Sequence, residues 1–412
     1  HDLGDSAPRA AVDRAMESGS TTSDESTDGM GEDRDPMLVK PARSSWYCGK
    51  VIELQKGHDG VMEIVSYNSS LLVTIRVFSV KTGTILLKGV LWAEEGLILL
   101  AFLLTLAVTS IIFKVPADRN IMEDIRRQTT YFIGFCSTMT HIATFLLTFF
   151  TSVNFSRWVR LRTHGVEKMW SATGQLSMVM STFVTSDEAV LSAIDRYSRA
   201  SLMVIFMSRR NNHSNLRILV KRDLLTADEV QKLSLVRDPL FASMAIWTWL
   251  AAMVSGIQAK GMIRSQQIMR CLVDAVSQGH EAAHLMVSQL TAQVPMSYVW
   301  LIGIIVKIHN FVHAFLYGIV ISVHAWEHNH KMTWTMQLLF VFLVTVLFQA
   351  LLILNQELSD PFDGLSQDVG FPMAWLNRSI KKDTANYGRM AERLPSWIEE
   401  VGLAEPIPKK IA

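Results

Sequence analysis

His141-Ile-Ala-Thr-Phe-Leu-Leu-Thr-Phe-Phe-Thr-Ser-Val-Asn-Phe-Ser-Arg-Trp158 is the stretch on which the reading of this chain turns. His141, Phe145 and Phe149 recur every four residues, so on a helix they share one face. Thr144, Thr148, Ser152 and Ser156 run beside them as a stripe of small polar side chains that lets helices approach closely. One such helix encloses nothing. Copies arranged around a cyclic axis stack the phenylalanines into rings, a constriction that can gate by dewetting. The positive edges of the rings tolerate a passing anion better than an aliphatic wall does. From spacing alone, the plainer reading is aromatic packing in a membrane helix.

This stretch belongs to one of five long apolar blocks, Leu97–Phe113, Tyr131–Val153, Leu240–Ile257, Val299–Val323 and Met332–Leu354. A helix needs roughly 20 apolar residues to cross the hydrocarbon core, and several blocks qualify. Lys+Arg number 39 and Asp+Glu 38, a balance that gives no sign of a nucleic-acid partner. Cys48, Cys136 and Cys271 are too few for a disulfide framework and read as free thiols. Residues 1–45, rich in Ser, Thr, Asp, Glu and Gly, lack the apolar surface to offset ordering entropy and are expected to be disordered. A main domain over 46–372 and a C-terminal tail over 373–412 complete the expected organisation.

Loop charge orients the spans. Arg157–Arg237 carries 13 Lys or Arg, whereas Ala325–Lys331 carries only Lys331, so the former is expected on the cytosolic side or its organellar equivalent. Four spans, with both termini and the basic middle on one side, satisfy this pattern. Leu240–Ile257, with Trp247-Thr-Trp249, then reads as a buried helix of the cytosolic part, with a fifth span as the alternative. Leu71–Leu91 reads as an amphipathic approach helix, Glu94-Glu95 as the edge of the first span, and Pro116–Arg119 as its end. Thr226-Ala-Asp-Glu229 is a capping box opening a helix through Leu235. No period-2 run is long enough to predict a sheet.

Phe145-x-x-x-Phe149 followed by Ser156-Arg157-Trp158 resembles the bestrophin family, in which this helix forms the hydrophobic neck of the pore and ends in an Arg-Trp pair. Over about residues 65–372 further pieces resemble the family in the same order: Lys81-Thr-Gly-Thr-Ile85, Leu91-Trp-Ala-Glu-Glu-Gly-Leu97, Asp195-Arg-Tyr197, Leu219–Glu229, Ile246–Leu250, Val294–Tyr298 and Asp360-Pro-Phe362. The resemblance implies an all-α membrane protein with four transmembrane helices per subunit and a helical cytosolic region. It also implies a cyclic homo-oligomer, a pentamer, with one axial pore passing chloride, bicarbonate or similar monovalent anions across a plasma or organellar membrane, thylakoids included.

By that resemblance Phe145 and Phe149 match the neck phenylalanines. His141 departs from the usual aliphatic residue, and imidazole is the side chain whose charge changes near neutral pH. The second, cytosolic aperture falls between Met262 and Ile268, with Ile268 favoured. The family's calcium clasp matches Glu357, Asp360 and, at its far end, Asp368. Ca²⁺ takes six to eight oxygens from a flexible loop. Leu365, Ser366 and Gln367 stand where animal members carry a dense acidic run, so the clasp departs from the family pattern there.

Two other features compete. His280-Glu-Ala-Ala-His284 matches the HExxH pattern, two imidazoles one turn apart with a glutamate to activate water, and suggests a membrane zinc metallopeptidase. No third ligand stands at a recognised spacing, and the later cluster of His324, His328 and His330 falls at the other membrane face in the four-span topology. Lys307, His309, Asn310 and His313 lie within the fourth apolar block, where ionisable residues face a cavity or the bundle interior. A place in the outer vestibule would let Lys307 favour anions; polar packing between helices is the alternative. A non-conducting tether with the same fold is the remaining alternative function.

Overall fold

The computed structural model describes residues 52–56, 62–67, 84–112, 119–210, 216–236, 238–326, 331–364, 369–393, 395–396 and 398. The first elements are two strands, β1 (Ile52–Lys56) and β2 (Met62–Tyr67), paired antiparallel with a bulge at Glu53/Leu54. This ribbon corrects the expectation of no sheet: five or six residues make a strand when a partner lies a short connection away, too short a run for periodicity to reveal. Of the expected approach helix over Leu71–Leu91, residues 71–83 lie outside the described residues. A 3₁₀ turn, Ile85–Leu87, precedes α1, Gly89–Ile112.

Helix α2 (Arg119–Arg160) passes through a π-helical segment, Leu161–Glu167, into α3 (Lys168–Phe183). Then follow α4 (Glu188–Arg209), α5 (Arg217–Lys221), α6 (Ala227–Leu233), α7 (Pro239–Ala259), α8 (Gln266–Thr291), α9 (Met296–Trp326), α10 (Lys331–Ser359) and α11 (Met373–Glu392). Short-range chemistry sets their ends. Asp187, Asp238 and Ser265 each accept an amide of the first turn of α4, α7 and α8. Pro239, with no amide hydrogen to satisfy, opens α7. The Thr226/Glu229 capping box is present in full and opens α6, which ends at Leu233. Gly261, at φ +72°, stops the chain after α7.

The helices form two packed groups. In the first, α9 and α10 contact each other, and α1 and α2 each pack against both. Its apolar contacts are small: Ala143, Leu147 and Phe150 of α2 meet Ile302, Val306 and Phe348, and Ile98 and Phe102 of α1 meet Ala314, Ile321 and Val341. Many outward residues of this group, such as Leu100, Leu103, Leu104, Leu339 and Leu343, are apolar and exposed, the pattern of a bundle solvated by lipid. In the second group α3, α4, α7, α8 and α11 enclose the largest core, built on Trp247, Phe206, Met169, Leu176, Ile194 and Leu272. Each such side chain taken out of water contributes about 1.5–3 kcal/mol.

Among the described residues five helices are long and apolar enough to cross a membrane: Gly89–Ile112, the joined rod Arg127–Phe183, Leu240–Ala259, Met296–Val323 and Thr335–Ser359. Glu94 and Glu95 stand in the second turn of the first of these helices, where its apolar run begins, and Glu95 is wholly buried. Its Oε1 accepts a hydrogen bond from Thr345 on α10 at 2.7 Å, while Oε2 is buried without a hydrogen-bond partner among the described residues.

Candidate functional site

The buried stripe of α2, Cys136, Ala143, Leu147, Phe150 and Asn154, faces α9 and α10. Heptad spacing places Phe145 and Phe149 on the opposite side, where they are 71% and 54% exposed. His141, Thr144, Thr148, Ser152 and Ser156 are exposed with them. The predicted neck residues therefore share a face that nothing in the subunit covers among the described residues.

The foot of α2 is fastened by the Arg-Trp pair. A guanidinium nitrogen of Arg157 donates to the carbonyl of Gln289, in the last turn of α8, where a positive group complements the helix dipole. The indole of Trp158 donates to the Val369 carbonyl at 2.8 Å and packs on Phe371, which meets Phe362 edge-on. Phe362 in turn lies against Phe206 of the second helix group. Two adjacent side chains thus tie the neck helix to α8 and to the turn after α10. Gly165, in the π segment, lies so close to α8 that a Cβ there would come 2.5 Å from Cγ of Met286.

Ile268, in the first turn of α8, is half-buried and packs with Met262, Ile263 and Met269 against the second core. Lys307 is held between Glu94, at 2.6 Å, and the Gln349 amide oxygen, at 3.1 Å, so its charge is opposed by a carboxylate. His309, Asn310 and His313 are buried in the first bundle. The His309 ring bridges the Thr140 hydroxyl at 2.9 Å and the Asn310 amide at 3.1 Å, and it stacks on Phe348. Of the two readings for these three residues, the structure favours packing between helices.

At the turn after α10, Glu357 is ion-paired with Lys88 and Asp360 with Arg209. Asp360 Oδ1 also accepts the Phe362 amide at 3.2 Å. These carboxylates are engaged by protein cations and an amide, which would compete with a Ca²⁺ ion for the same oxygens. Asp368 lies outside the described residues, as do His328 and His330. His280, Glu281 and His284 are exposed along α8, with Glu281 bound to Lys168 at 2.7 Å. Among the described residues no three His, Cys, Asp or Glu side chains gather around a common point.

Residues not singled out from the sequence also shape the site. Asn154 and Asn355 join α2 to α10, and Arg160 and His164 lie exposed beyond the neck face. An asparagine inside an apolar span was the available signal for the first pair.

The family model described as "Bestrophin, RFP-TM, chloride channel" matches residues 64–380. Among solved structures, a bacterial bestrophin homolog from Klebsiella pneumoniae is 16% identical, with a TM-score of 0.53 over 72% of this chain and 100% of that one. A W252A variant of the Klebsiella pneumoniae homolog is 15% identical, with a TM-score of 0.55 over 74% of this chain and 100% of that one. No curated protein sequence matches significantly.

Proposed function

The chain belongs to the bestrophin family of chloride channels, proteins that are not enzymes, and from that premise we propose that copies of it assemble around a common axis with Phe145 and Phe149 turned inward as the neck of an anion pore. The observation that carries this reading is the exposure of both phenylalanines on the side of α2 opposite its packed stripe. Large aromatics left uncovered in one subunit, beside a stripe of Thr and Ser, suit contact with other copies and with a passing ion.

In this reading five copies form the channel, and chloride or bicarbonate passes without covalent chemistry. Ions shed part of their hydration at the phenylalanine rings, and Ile268 borders a second aperture. Four helices span the bilayer. The fifth apolar helix, α7, is assigned to the cytosolic part because Ile246, Trp247, Leu250 and Val254 lie in the second core and its main partners are α4 and α8. Lys307 can attract anions from a vestibule only to the extent that Glu94 leaves its charge uncompensated.

Single-channel recording of purified protein in planar bilayers tests the proposal. Phe145→Ala and Phe149→Ala widen and wet the neck, so both are expected to change conductance and shorten closed intervals. A purified particle that proves monomeric, or variants that conduct as the parent does, would overturn it.

A further inference from the structure

Past Phe149, the neck face of α2 runs on through Ser156 and Arg160, seven and eleven residues further along the chain. Arg160 is thus roughly 16 Å beyond Phe149 at the helical rise. Here a groove of about 420 Å³ opens, with Ser156, Arg157, Arg160, Thr163, His164 and Gln289 as its polar lining and no carboxylate among the lining residues. Arg160 and His164 are exposed and make no hydrogen bond or ion pair among the described residues. Arg157 is anchored by the Gln289 carbonyl, which leaves its buried Nε without a partner. Asp360, the carboxylate whose charge acts on Arg157, is already paired with Arg209.

We propose that this groove is a docking site for a small planar oxyanion, bicarbonate or a carboxylate, and so biases the pore toward such ions over halide; its place on the ion path rests on the neck reading above. A guanidinium presents parallel N–H groups that match two oxygens of a planar anion, a geometry a single-atom halide cannot use. Ser156 adds a hydroxyl donor at the same mouth, while the Thr163 hydroxyl is held by the Val159 carbonyl at 2.9 Å. Repeated around an axis, the uncompensated charges raise the local anion concentration beside the neck.

The test is the permeability of bicarbonate relative to chloride, taken from reversal potentials of the full-length protein in planar bilayers. Arg160→Gln is expected to lower that ratio about threefold, the scale of an exposed ionic contact. Arg160→Lys, which keeps the charge and loses the fork, should lower it as well. If both variants keep the parental ratio while Phe149→Ala alters conductance, the oxyanion site is wrong and the neck stands. A fall in both permeabilities with no change in ratio also overturns it, since charge alone then acts. If Phe149→Ala has no effect on conductance, the neck reading fails and the inference falls with it.

Discussion

Asn154 on α2 donates a 2.9 Å hydrogen bond to the amide oxygen of Asn355 on α10, and both side chains are wholly buried. Asn355 passes its own N–H groups to the Thr151 hydroxyl and the Leu351 carbonyl, each at 2.8 Å. Lipid supplies no hydrophobic drive for helix association, so directional contacts of this kind set how a membrane helix is rotated. Asn154 lies one to two turns past Phe149, and the rotation it enforces is what turns the phenylalanines away from the bundle.

Replacing Asn355 with Leu strands the Asn154 amide in a buried position. The expected loss is about 1–3 kcal/mol, the cost of an unsatisfied buried polar group. Removing both amides, Asn154→Leu with Asn355→Leu, should cost less than the sum of the single changes, because neither partner is then left unmet. Unfolding of the purified protein in detergent measures all three, and strict additivity would show that the two amides do not act as a pair.

A second contact carries a pH signature. Tyr197 on α4 donates at 2.5 Å to Glu229, the residue that completes the α6 capping box, and Arg196 stands 3.7 Å from the same carboxylate. Burial pushes the Tyr197 hydroxyl up to about 12, with the Glu229 carboxylate adding to the shift. Burial acts upward on Glu229 too, but hydrogen bonds from Tyr197 and the Thr226 amide, together with Arg196, outweigh it and hold the carboxyl below its ordinary 4.5. Stability from Glu229 is therefore complete above pH 4.5 and is lost as pH falls through the lowered value. Stability from Tyr197 is complete below pH 10 and disappears as pH rises through about 12. Tyr197→Phe should cost about 1 kcal/mol at neutral pH. It should also remove this residue's share of the alkaline loss, read as the difference in melting temperature between parent and variant across pH 9–12.

The second helix group has one contact with no tolerance. Gly279 on α8 lies against the Trp247 indole, and a Cβ placed there would come within 2.1–2.4 Å of three of its ring carbons. Trp247 cannot retreat easily, since it is fully buried and its Nε1 donates to Ser201 at 3.0 Å. Gly279→Ala is expected to destabilise the protein by about 1–3 kcal/mol through overpacking. A melting temperature equal to the parent's would mean that the indole has free space to move into.

Much of this architecture was legible before any coordinates. The spans announce themselves because bilayer thickness demands about 20 apolar residues, and the α6 capping box did because its chemistry is local. What stayed hidden depends on partners far along the chain. Glu94 and Glu95 read as the border of a span, since two adjacent carboxylates look incompatible with lipid. Their partners, Lys307 and Thr345, stand more than 200 residues away and leave no trace in the local sequence. The exposed face of α2 was readable from the four-residue spacing of its aromatics. The anchoring of Arg157 and Trp158 to Gln289 and Val369 was not, because a carbonyl acceptor leaves no trace in residue type. The β1–β2 ribbon was missed for a related reason: its strands are shorter than any pattern that distinguishes a strand from chance alternation.

The turn after α10 yields the last expectation. A Ca²⁺ ion drawn to Glu357 and Asp360 meets competition from Lys88 and Arg209, which already neutralise those carboxylates. Calcium binding here is a proposal with a specific consequence: taking away a competitor strengthens it. Lys88→Gln removes one competing cation from Glu357 and is expected to raise the apparent affinity for Ca²⁺ about threefold, the scale of a partly exposed ion pair. Glu357→Gln combined with Asp360→Asn should abolish binding, because Ca²⁺ needs formal charge as well as oxygen donors. Calorimetric titration of the purified protein distinguishes the outcomes. Folded parent and Lys88→Gln proteins that both give no heat with Ca²⁺ would leave this turn as what its geometry describes, two ion pairs that hold the end of α10 to the start of α1 and to the end of α4.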